Sequence, residues 1–242
     1  MNKELIKKRF SNKLSTYSEN AGIQRKMAEK LLSYLDNNSF DDVLEIGCGT
    51  GLLTELAVKK LKFKTYTAND IVENCQKFIT KINPDINFVA GDIEALISKS
   101  LKKYDLIISN ASLQWVDDFE KVVNILLTKL TKDGILLFST FGSENFREIY
   151  FVMGKKLNYY SKSELEKLFK NSLNKAEEEI HIISFKTPKD VLKHLHLTGV
   201  NAIESKTWTK KDMKDFENGY NNFCSNRPTL TYNPIYIMLC SE

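Results

Sequence analysis

A glycine-rich segment near the start of the chain contains the residue types best suited to bind a small ligand. Residues 43–51 read VLEIGCGTG, so a short apolar run that includes Glu45 is followed by three glycines at alternate positions. Glycine tolerates positive φ and lets the backbone approach a ligand closely. The helical pattern that begins at Leu52 adds unpaired N–H groups and a partial positive charge at the same place. The segment therefore predicts a nucleotide-like ligand at the carboxyl end of a parallel strand.

The spacing of these glycines separates the classes of nucleotide site. A dinucleotide fingerprint, Gly-x-Gly-x-x-Gly, needs its third glycine where Leu52 stands, and a phosphate loop needs a Gly-Lys-Ser/Thr sequence that this segment lacks. The form Glu-x-Gly-x-Gly-x-Gly, at Glu45, Gly47, Gly49 and Gly51, resembles motif I of class I S-adenosylmethionine (SAM) dependent methyltransferases. The alternative is a structural strand-to-helix turn in another α/β protein.

Polar residues also follow the next predicted strands. Asp70 ends a β-type run, where an acid can accept hydrogen bonds from both ribose hydroxyls or can cap the helix that begins near Glu73. In the methyltransferase pattern, Asp92 meets the adenine amino group and the backbone of Ile93 completes that contact. Residues 110–115 follow a buried run and lie where the methionine end of the cofactor and the acceptor are expected to meet.

Strand-like runs that alternate with helical patterns must position these residues. The apolar runs are continuous, as in strands buried on both faces, and this alternation implies right-handed crossovers. We predict an α/β fold with a doubly wound, mostly parallel seven-stranded sheet, Rossmann-like, as in class I methyltransferases, and a helical lid. A single domain is expected. Its parts are a helical lead-in (1–40), a SAM-binding core (41–140), lid helices with a late strand (141–230) and a final strand (231–242).

The segment 141–230 shows little strand character and is expected to fold mainly as helices over the carboxyl edge of the sheet. Its apolar periodicity predicts the following elements. They are helices at 145–157 and 162–173, a strand at 180–183, a helix that begins at Pro188 and, beyond the segment, a last strand at 234–240.

Composition excludes several functional classes. No run of about 18 apolar residues indicates a membrane span, and residues 1–9 are polar and basic, unlike a secretory signal. The four cysteines form no Cys-x-x-Cys pair, and His194 and His196 point to different faces of a helix, so we expect no metal and a reducing, cytoplasmic compartment. The net charge of +4 comes without a dense basic patch on a recognised module, so no nucleic-acid partner is expected.

Segments along nearly the whole chain resemble the malonyl-acyl-carrier-protein O-methyltransferases of biotin synthesis. The resembling segments are 9–11, Thr16-Tyr17, Ala21, Gln24, 109–116, 138–142 with Asn145, Phe146 and Glu148, 188–202 and 230–236. One departure is Asn233, where a histidine is expected in many relatives. The resemblance implies transfer of a methyl group from SAM to the free carboxylate of a malonyl thioester, with S-adenosylhomocysteine (SAH) as the other product. The ester then enters fatty acid synthesis as a primer whose free carboxylate is masked by the methyl group.

Together, motif and resemblance predict the site residues. The cofactor is expected to contact Gln24, Glu45, Gly47, Cys48, Gly49, Gly51, Asp70, Ile71, Asp92, Ile93, Asn110 and Ala111. The acceptor is expected to contact Tyr17, Gln114 and Trp115, with Tyr17 as the catalytic residue. We expect residues 9–24 to fold over the site, which brings Tyr17 near the transferred methyl group. The small side chain of Cys48 fits the ligand loop without a catalytic role.

The chemistry needs little from the protein beyond binding and exclusion of water. A malonyl carboxylate is already ionised at pH 7, so methylation needs no general base, and a dry pocket favours a step in which opposite charges combine. Aromatic residues that could form that pocket, or ordinary core, are Tyr17, Trp115, Phe141, Tyr150, Tyr159 and Tyr160. The acceptor would be malonyl-carrier protein or malonyl-CoA. The alternatives are another small carboxylate or a quinone-like acceptor, a non-catalytic SAM-binding protein and, disfavoured by Leu52, a dehydrogenase.

A carrier protein is acidic, so a basic rim would steer it toward the site. Lysines recur at 186, 189, 193, 206, 210, 211 and 214. The alternative interpretation of these lysines is a solvated surface.

Overall fold

The computed structural model describes residues 3–154, 158–198 and 208–241, within which strands and helices alternate. The strands are β1 (Ser39–Ile46), β2 (Lys62–Asp70), β3 (Asn87–Ala90), β4 (Tyr104–Asn110), β5 (Leu130–Phe141), β6 (Leu173–Glu178), β7 (His181–Ser184), β8 (Thr229–Tyr232) and β9 (Pro234–Cys240). The helices are α1 (Lys3–Ser11), α2 (Leu14–Asn20), α3 (Gly22–Ser33), α4 (Leu52–Lys60), α5 (Gln76–Ile82), α6 (Ile93–Lys99), α7 (Phe119–Thr128), α8 (Arg147–Met153), α9 (Lys162–Leu168), α10 (Pro188–Leu197) and α11 (Lys210–Phe223).

Within the described ranges, seven strands form one sheet in the order β3-β2-β1-β4-β5-β9-β6. Strands β1 to β5 are parallel, and β9 runs antiparallel to both of its neighbours. The predicted doubly wound, mostly parallel sheet is therefore confirmed. The chain reverses its direction of winding between β1 and β4, and ligands bind beside the carboxyl ends of the strands at such a switch point.

Both faces of the sheet are buried, which explains the continuous apolar runs in its central strands. In β4, Leu106 and Ile108 join the core that α3, α4 and α5 cover, whereas Ile107 joins the core beneath α6, α7 and α9. Each of these three side chains is fully buried, and burial of one such side chain contributes about 1.5–3 kcal/mol. This two-sided core fixes the register of the strand ends that carry the site.

The segment 141–230 contains one strand of the main sheet that was not predicted, β6, and one strand that was. The helix predicted for 162–173 ends at Leu168, and β6 follows it as the outermost strand of the main sheet. The sequence of β6, LNKAEE, is polar because this strand lies at the sheet edge, where polar residues are common. The strand predicted at 180–183 is β7, which pairs with β8 in a separate two-stranded sheet.

The helix predicted for 145–157 begins later than expected, at Arg147. Phe146 precedes it with φ of +58°, outside the helical region. Residues 155–157 lie outside the described residues, as do Gly199, Val200, Asn201 and Ala202 of the segment that resembles the family. The last predicted strand is confirmed as β9.

Candidate active site

The glycine loop after β1 is shaped by three residues with positive φ: Gly47 at +69°, Gly49 at +54° and Gly51 at +81°. A Cβ atom on Gly47 would collide with the side chain of Ser112, and one on Gly51 would collide with Ile82. A Cβ atom on Gly49 would meet no atom within 4 Å. Gly47 and Gly51 are therefore required by close packing, whereas Gly49 borders open space in which a ligand can lie.

That open space is a cavity of about 140 Å³ at the carboxyl ends of β1, β2 and β4. Most of the residues predicted for the site line it. They are Tyr17, Gln24, Glu45, Gly47, Cys48, Gly49, Asp70, Ile71, Asp92, Ile93, Asn110, Ala111 and Trp115. Gly51 and Gln114 do not belong to the lining. Gly51 instead turns the chain into α4, where its N–H donates to the carbonyl of Cys48 at 2.8 Å.

Asp70 is held at the end of β2 by two backbone donors. Its Oδ1 accepts a hydrogen bond from the N–H of Val72, and its Oδ2 accepts one from the N–H of Gly49, each at 2.8 Å. Burial raises the pKa of this carboxyl, while the two backbone donors act in the opposite direction. A carboxylate offers about four lone pairs, so Asp70 keeps acceptor capacity for ribose hydroxyls in addition to its local bonds.

Glu45 is a buried acid that faces the cavity. Its Oε2 accepts hydrogen bonds from the hydroxyls of Thr54, at 2.7 Å, and Tyr66, at 2.6 Å. Burial raises the pKa of Glu45 from the usual 4.5 to about 7, against the effect of these two donors. The carboxyl thus stands beside the cavity as a group that a ligand cation would help to ionise. Burial also keeps the pKa of the neighbouring Cys48 well above its usual range, so that thiol is no nucleophile.

A lysine that the sequence analysis did not identify also lines the cavity. Nζ of Lys3 lies 2.7 Å from Oδ2 of Asp92 and 3.1 Å from Oδ2 of Asp117, and it also contacts Glu94. Burial lowers the pKa of Lys3, but the bonds to the three acids outweigh that effect and raise it. No sequence signal could have paired residues so far apart, because the pairing depends on where the fold places α1 beside the segments that follow β3 and β4.

The lead-in helices close the cavity from above. The side-chain amide of Asn110 donates to the backbone carbonyl of Gln24 at 2.9 Å, and its oxygen accepts from Ser139 at 2.6 Å. Phe10 packs edge-on against Trp115, with ring centroids 5.8 Å apart. These contacts fasten α3 to the ends of β4 and β5 and fasten α1 to the segment that follows β4, as the expected fold of residues 9–24 over the site requires.

The three predicted acceptor residues differ in position. Tyr17, in α2, and Trp115 line the cavity. Burial, with a smaller effect of Asp70, raises the pKa of the Tyr17 phenol, which therefore stays protonated. Gln114 donates to the carbonyl of Ala111 at 2.7 Å, and its amide oxygen is buried without a hydrogen-bond partner among the described residues.

Asn233, the departure from the family pattern, is fully buried between β8 and β9. Its side chain donates to the carboxylate of Glu178 at 2.9 Å and to the carbonyl of Glu179 at 3.0 Å, and it accepts from the N–H of Glu144 at 3.0 Å. Its polar atoms are thus occupied within the protein, and it does not belong to the cavity lining.

Residues 3–154, 158–198 and 208–241 contain no helix with the length and apolar character of a membrane span. The same ranges contain no cluster of three histidine, cysteine or acidic side chains arranged to hold a metal ion.

Comparison with known proteins agrees with this geometry. A family profile described as a methyltransferase domain matches residues 20–172. A protein of Chlorobium luteolum named malonyl-[acyl-carrier protein] O-methyltransferase is 38% identical, with 98% of this chain and 95% of that protein covered. One of the same name from Calditerrivibrio nitroreducens is 39% identical, with coverage of 96% and 95%.

Solved structures support the fold alone, because their sequence identity is low. A methyltransferase-fold structure from Bacillus halodurans superimposes with a TM-score of 0.65 at 12% identity, with coverage of 88% of this chain and 97% of that one. The N-methyltransferase NodS from Bradyrhizobium japonicum, solved with SAH, superimposes with a TM-score of 0.53 at 14% identity, with coverage of 93% and 98%.

Proposed function

We propose a reaction for this chain from the premise that it belongs to the malonyl-[acyl-carrier protein] O-methyltransferase family and contains that family's methyltransferase domain. It is a SAM-dependent carboxyl O-methyltransferase. The reaction is transfer of a methyl group to the free carboxylate of a malonyl thioester, which leaves SAH, and the family resemblance assigns this step to early biotin synthesis.

The observation that carries the proposal is the open space beside Gly49. A side chain at position 49 would extend into this space, which lies between the ends of β1 and β2. Acidic groups surround it: Asp70 would hold the ribose, Asp92 with the backbone of Ile93 would hold the adenine, and Glu45 would favour a cationic ligand. The donors and acceptors of the cavity thus fit each part of SAM.

Gln24, Asn110 and Ala111 would hold the methionine end. Gln24 and Asn110 are already joined by a hydrogen bond. Ala111 has φ of +49°, an uncommon conformation for a residue with a side chain, and its N–H lies 3.1 Å from the hydroxyl of Ser139. Such local strain occurs where the surrounding structure fixes a binding site.

The chain's part in the chemistry is to orient the acceptor and to keep water away. Bound SAM supplies an electrophilic methyl group on a positively charged sulfur. The acceptor carboxylate is already an anion at pH 7, so the protein removes no proton. Tyr17 would donate a hydrogen bond from a neutral phenol, which orients the carboxylate without cancelling its charge. Phe10 and Trp115 form an aromatic wall that excludes water from the site.

The family name points to a carrier protein as the bearer of the malonyl group, with malonyl-CoA as the alternative. Basic side chains on α10 and α11, and one on the segment just before α10, support an acidic partner. In the described ranges these include Lys186, Lys189, Lys193, Lys210, Lys211 and Lys214, whereas Lys206 lies outside them. Lys189 is engaged by Glu217 at 2.9 Å, so we do not assign it a carrier contact.

The four cysteines are unpaired, which favours the reducing cytoplasm as the compartment.

Turnover with three acceptors tests the proposal. Malonyl-carrier protein, malonyl-CoA and free malonate are each incubated with SAM, and SAH release is measured. Turnover with a malonyl thioester well above that with free malonate supports the assignment. Turnover with free malonate, or with another small carboxylate, but not with either thioester would show that the substrate is a free small carboxylate. SAM binding without any turnover would favour a non-catalytic binding protein.

A further inference from the structure

Ser112, in the segment that follows β4, places its hydroxyl group against the glycine loop. The residue lines the cavity, and a Cβ atom added to Gly47 would collide with the Ser112 hydroxyl. The hydroxyl oxygen therefore lies directly against the backbone of the first glycine of the loop. Because glycine has no side chain, position 47 leaves room for this contact.

The Ser112 hydroxyl donates no hydrogen bond to another residue in the described ranges, whereas its polar neighbours are engaged. The side-chain amide of Asn110 donates to the carbonyl of Gln24 at 2.9 Å, and the N–H of Ala111 donates to the carbonyl of Ser139 at 3.1 Å. The side-chain amide of Gln24 also donates to no described residue, and Gln24 lines the cavity as well. Ser112 and Gln24 thus retain donors for a ligand.

The order of the strands determines which part of SAM reaches Ser112. The neighbouring strands β3, β2, β1 and β4 lead to Asp92, Asp70, Gly47 and Ser112, in that order. Neighbouring strands lie about 4.8 Å apart, so the ends of β3 and β4 are separated by about 14 Å. With the adenine at Asp92 and the ribose at Asp70, the methionine part of SAM extends toward the end of β4.

The carboxylate of that methionine part needs hydrogen-bond donors, which the aspartates of the cavity cannot supply. Asp70 and Asp92 line the cavity and, as anions, would repel it. Lys3 is the only cation among the described lining residues, and its Nζ lies at the other end of the cavity, 2.7 Å from Oδ2 of Asp92. An anion that leaves water requires donors in return, and at the end of β4 these are an uncharged hydroxyl and an uncharged amide.

We propose that the hydroxyl of Ser112 and the side-chain amide of Gln24 bind the α-carboxylate of SAM. The inference rests on the proposed function, in which SAM is the cofactor, and it names the chemical group that these two donors recognise. Gln24 lies at the same end of the cavity as Ser112, because its carbonyl accepts the hydrogen bond from Asn110 at the end of β4. Hydrogen bonds to a carboxylate are stronger than those between neutral groups. Loss of one donor should therefore weaken binding about tenfold or more.

The variant Ser112→Ala tests the inference with three ligands that differ only in the amino-acid part. SAH contains the carboxylate, decarboxylated SAH lacks it but keeps the amino group, and methylthioadenosine lacks both. Calorimetry should show that the variant binds SAH about tenfold or more weakly than the wild type does. It should bind the other two ligands within about twofold of the wild-type affinity, because they offer the hydroxyl no carboxylate.

Ser109→Ala is the matched control. Ser109 lies in β4, but its hydroxyl donates to the carbonyl of Ile46 at 3.0 Å, and the residue does not line the cavity. This control should lose stability without a change in the ratio of the affinities for SAH and methylthioadenosine. Gln24→Met keeps the length of the side chain but removes its donor. It should reproduce the pattern of Ser112→Ala, and it decides the matter if Ser112→Ala folds poorly.

Three results would overturn the inference. The first is wild-type affinity for SAH in well-folded Ser112→Ala and Gln24→Met. The second is an equal loss for all three ligands, which would indicate a changed loop rather than a lost contact. The third is an equal loss for SAH and decarboxylated SAH alone, which would assign the hydroxyl to the amino group. If the wild type binds none of the three ligands, SAM is not the cofactor and the proposed function fails as well.

Discussion

The backbone N–H of Gly49 donates a hydrogen bond of 2.8 Å to Oδ2 of Asp70, which joins the glycine loop after β1 to the acidic end of β2. The bond thus connects the glycine loop and Asp70, which are separated in the sequence. It also holds Gly49 in its left-handed conformation, with φ of +54° and open space in front of it. The loop and the Asp70 carboxyl are therefore fixed relative to each other before a ligand binds.

Asp70→Ala should weaken SAM binding by about 1–3 kcal/mol, because it removes a charged acceptor. It also frees the N–H groups of Gly49 and Val72. Asp70→Asn should not restore affinity fully, since an amide cannot accept at both of its terminal atoms. Calorimetry with SAM measures both variants, and unchanged affinity in Asp70→Ala would remove Asp70 from the ribose site.

Gly49→Val should abolish SAM binding, because its side chain would occupy the cavity and disfavour positive φ. Gly154→Val is the matched control. Gly154 also has positive φ, +64°, and also has no atom within 4 Å of an added Cβ, but it ends α8. The control should lose stability yet bind SAM. Equal loss of binding in both variants would mean that strain alone, rather than cavity occupation, explains the effect.

Glu45→Gln should remove a pH dependence of stability. Because the folded-state pKa of Glu45 is raised from 4.5 to about 7, the folded protein holds this proton more tightly than the unfolded chain does. Its contribution to the free energy of unfolding is therefore fully present below about pH 4.5 and is lost as pH rises through about 7. Glutamine can still accept from Thr54 and Tyr66 but does not titrate.

Denaturant unfolding at several pH values measures this contribution. The stability of the wild type relative to Glu45→Gln should fall between about pH 4.5 and 7 and level off above that range. A difference that stays constant with pH would show that Glu45 has an ordinary pKa.

Tyr17→Phe should lower kcat several-fold with SAM affinity nearly unchanged, because the hydroxyl is proposed to contact the acceptor during the chemical step. Tyr160→Phe serves as its control, since Tyr160 packs against Phe119 in the core on the opposite face of the sheet. Steady-state kinetics with malonyl-CoA measure kcat. Wild-type turnover in Tyr17→Phe would make Tyr17 a packing residue, and a parallel loss of SAM binding would assign it to the cofactor.

The sequence was sufficient to predict the parallel part of the sheet and most of the residues at the strand ends that line the cavity. Alternating strands and helices place those ends at one edge, so local motifs such as Gly47 to Gly51 determine where a ligand lies. Residues joined only by tertiary structure were missed. Lys3 reaches Asp92 because the fold places α1 beside the segment that follows β3, and the polar strand β6 forms because β9 offers it an edge.

The most direct test of the central claim is the intact mass of malonyl-carrier protein after incubation with the enzyme and SAM carrying an isotopically labelled methyl group. The carboxylate assignment predicts a gain of one labelled methyl group on the malonyl thioester and no gain on acetyl-carrier protein, which lacks the carboxylate. Label that appears equally on acetyl-carrier protein, or that never appears although SAM binds, would contradict the account.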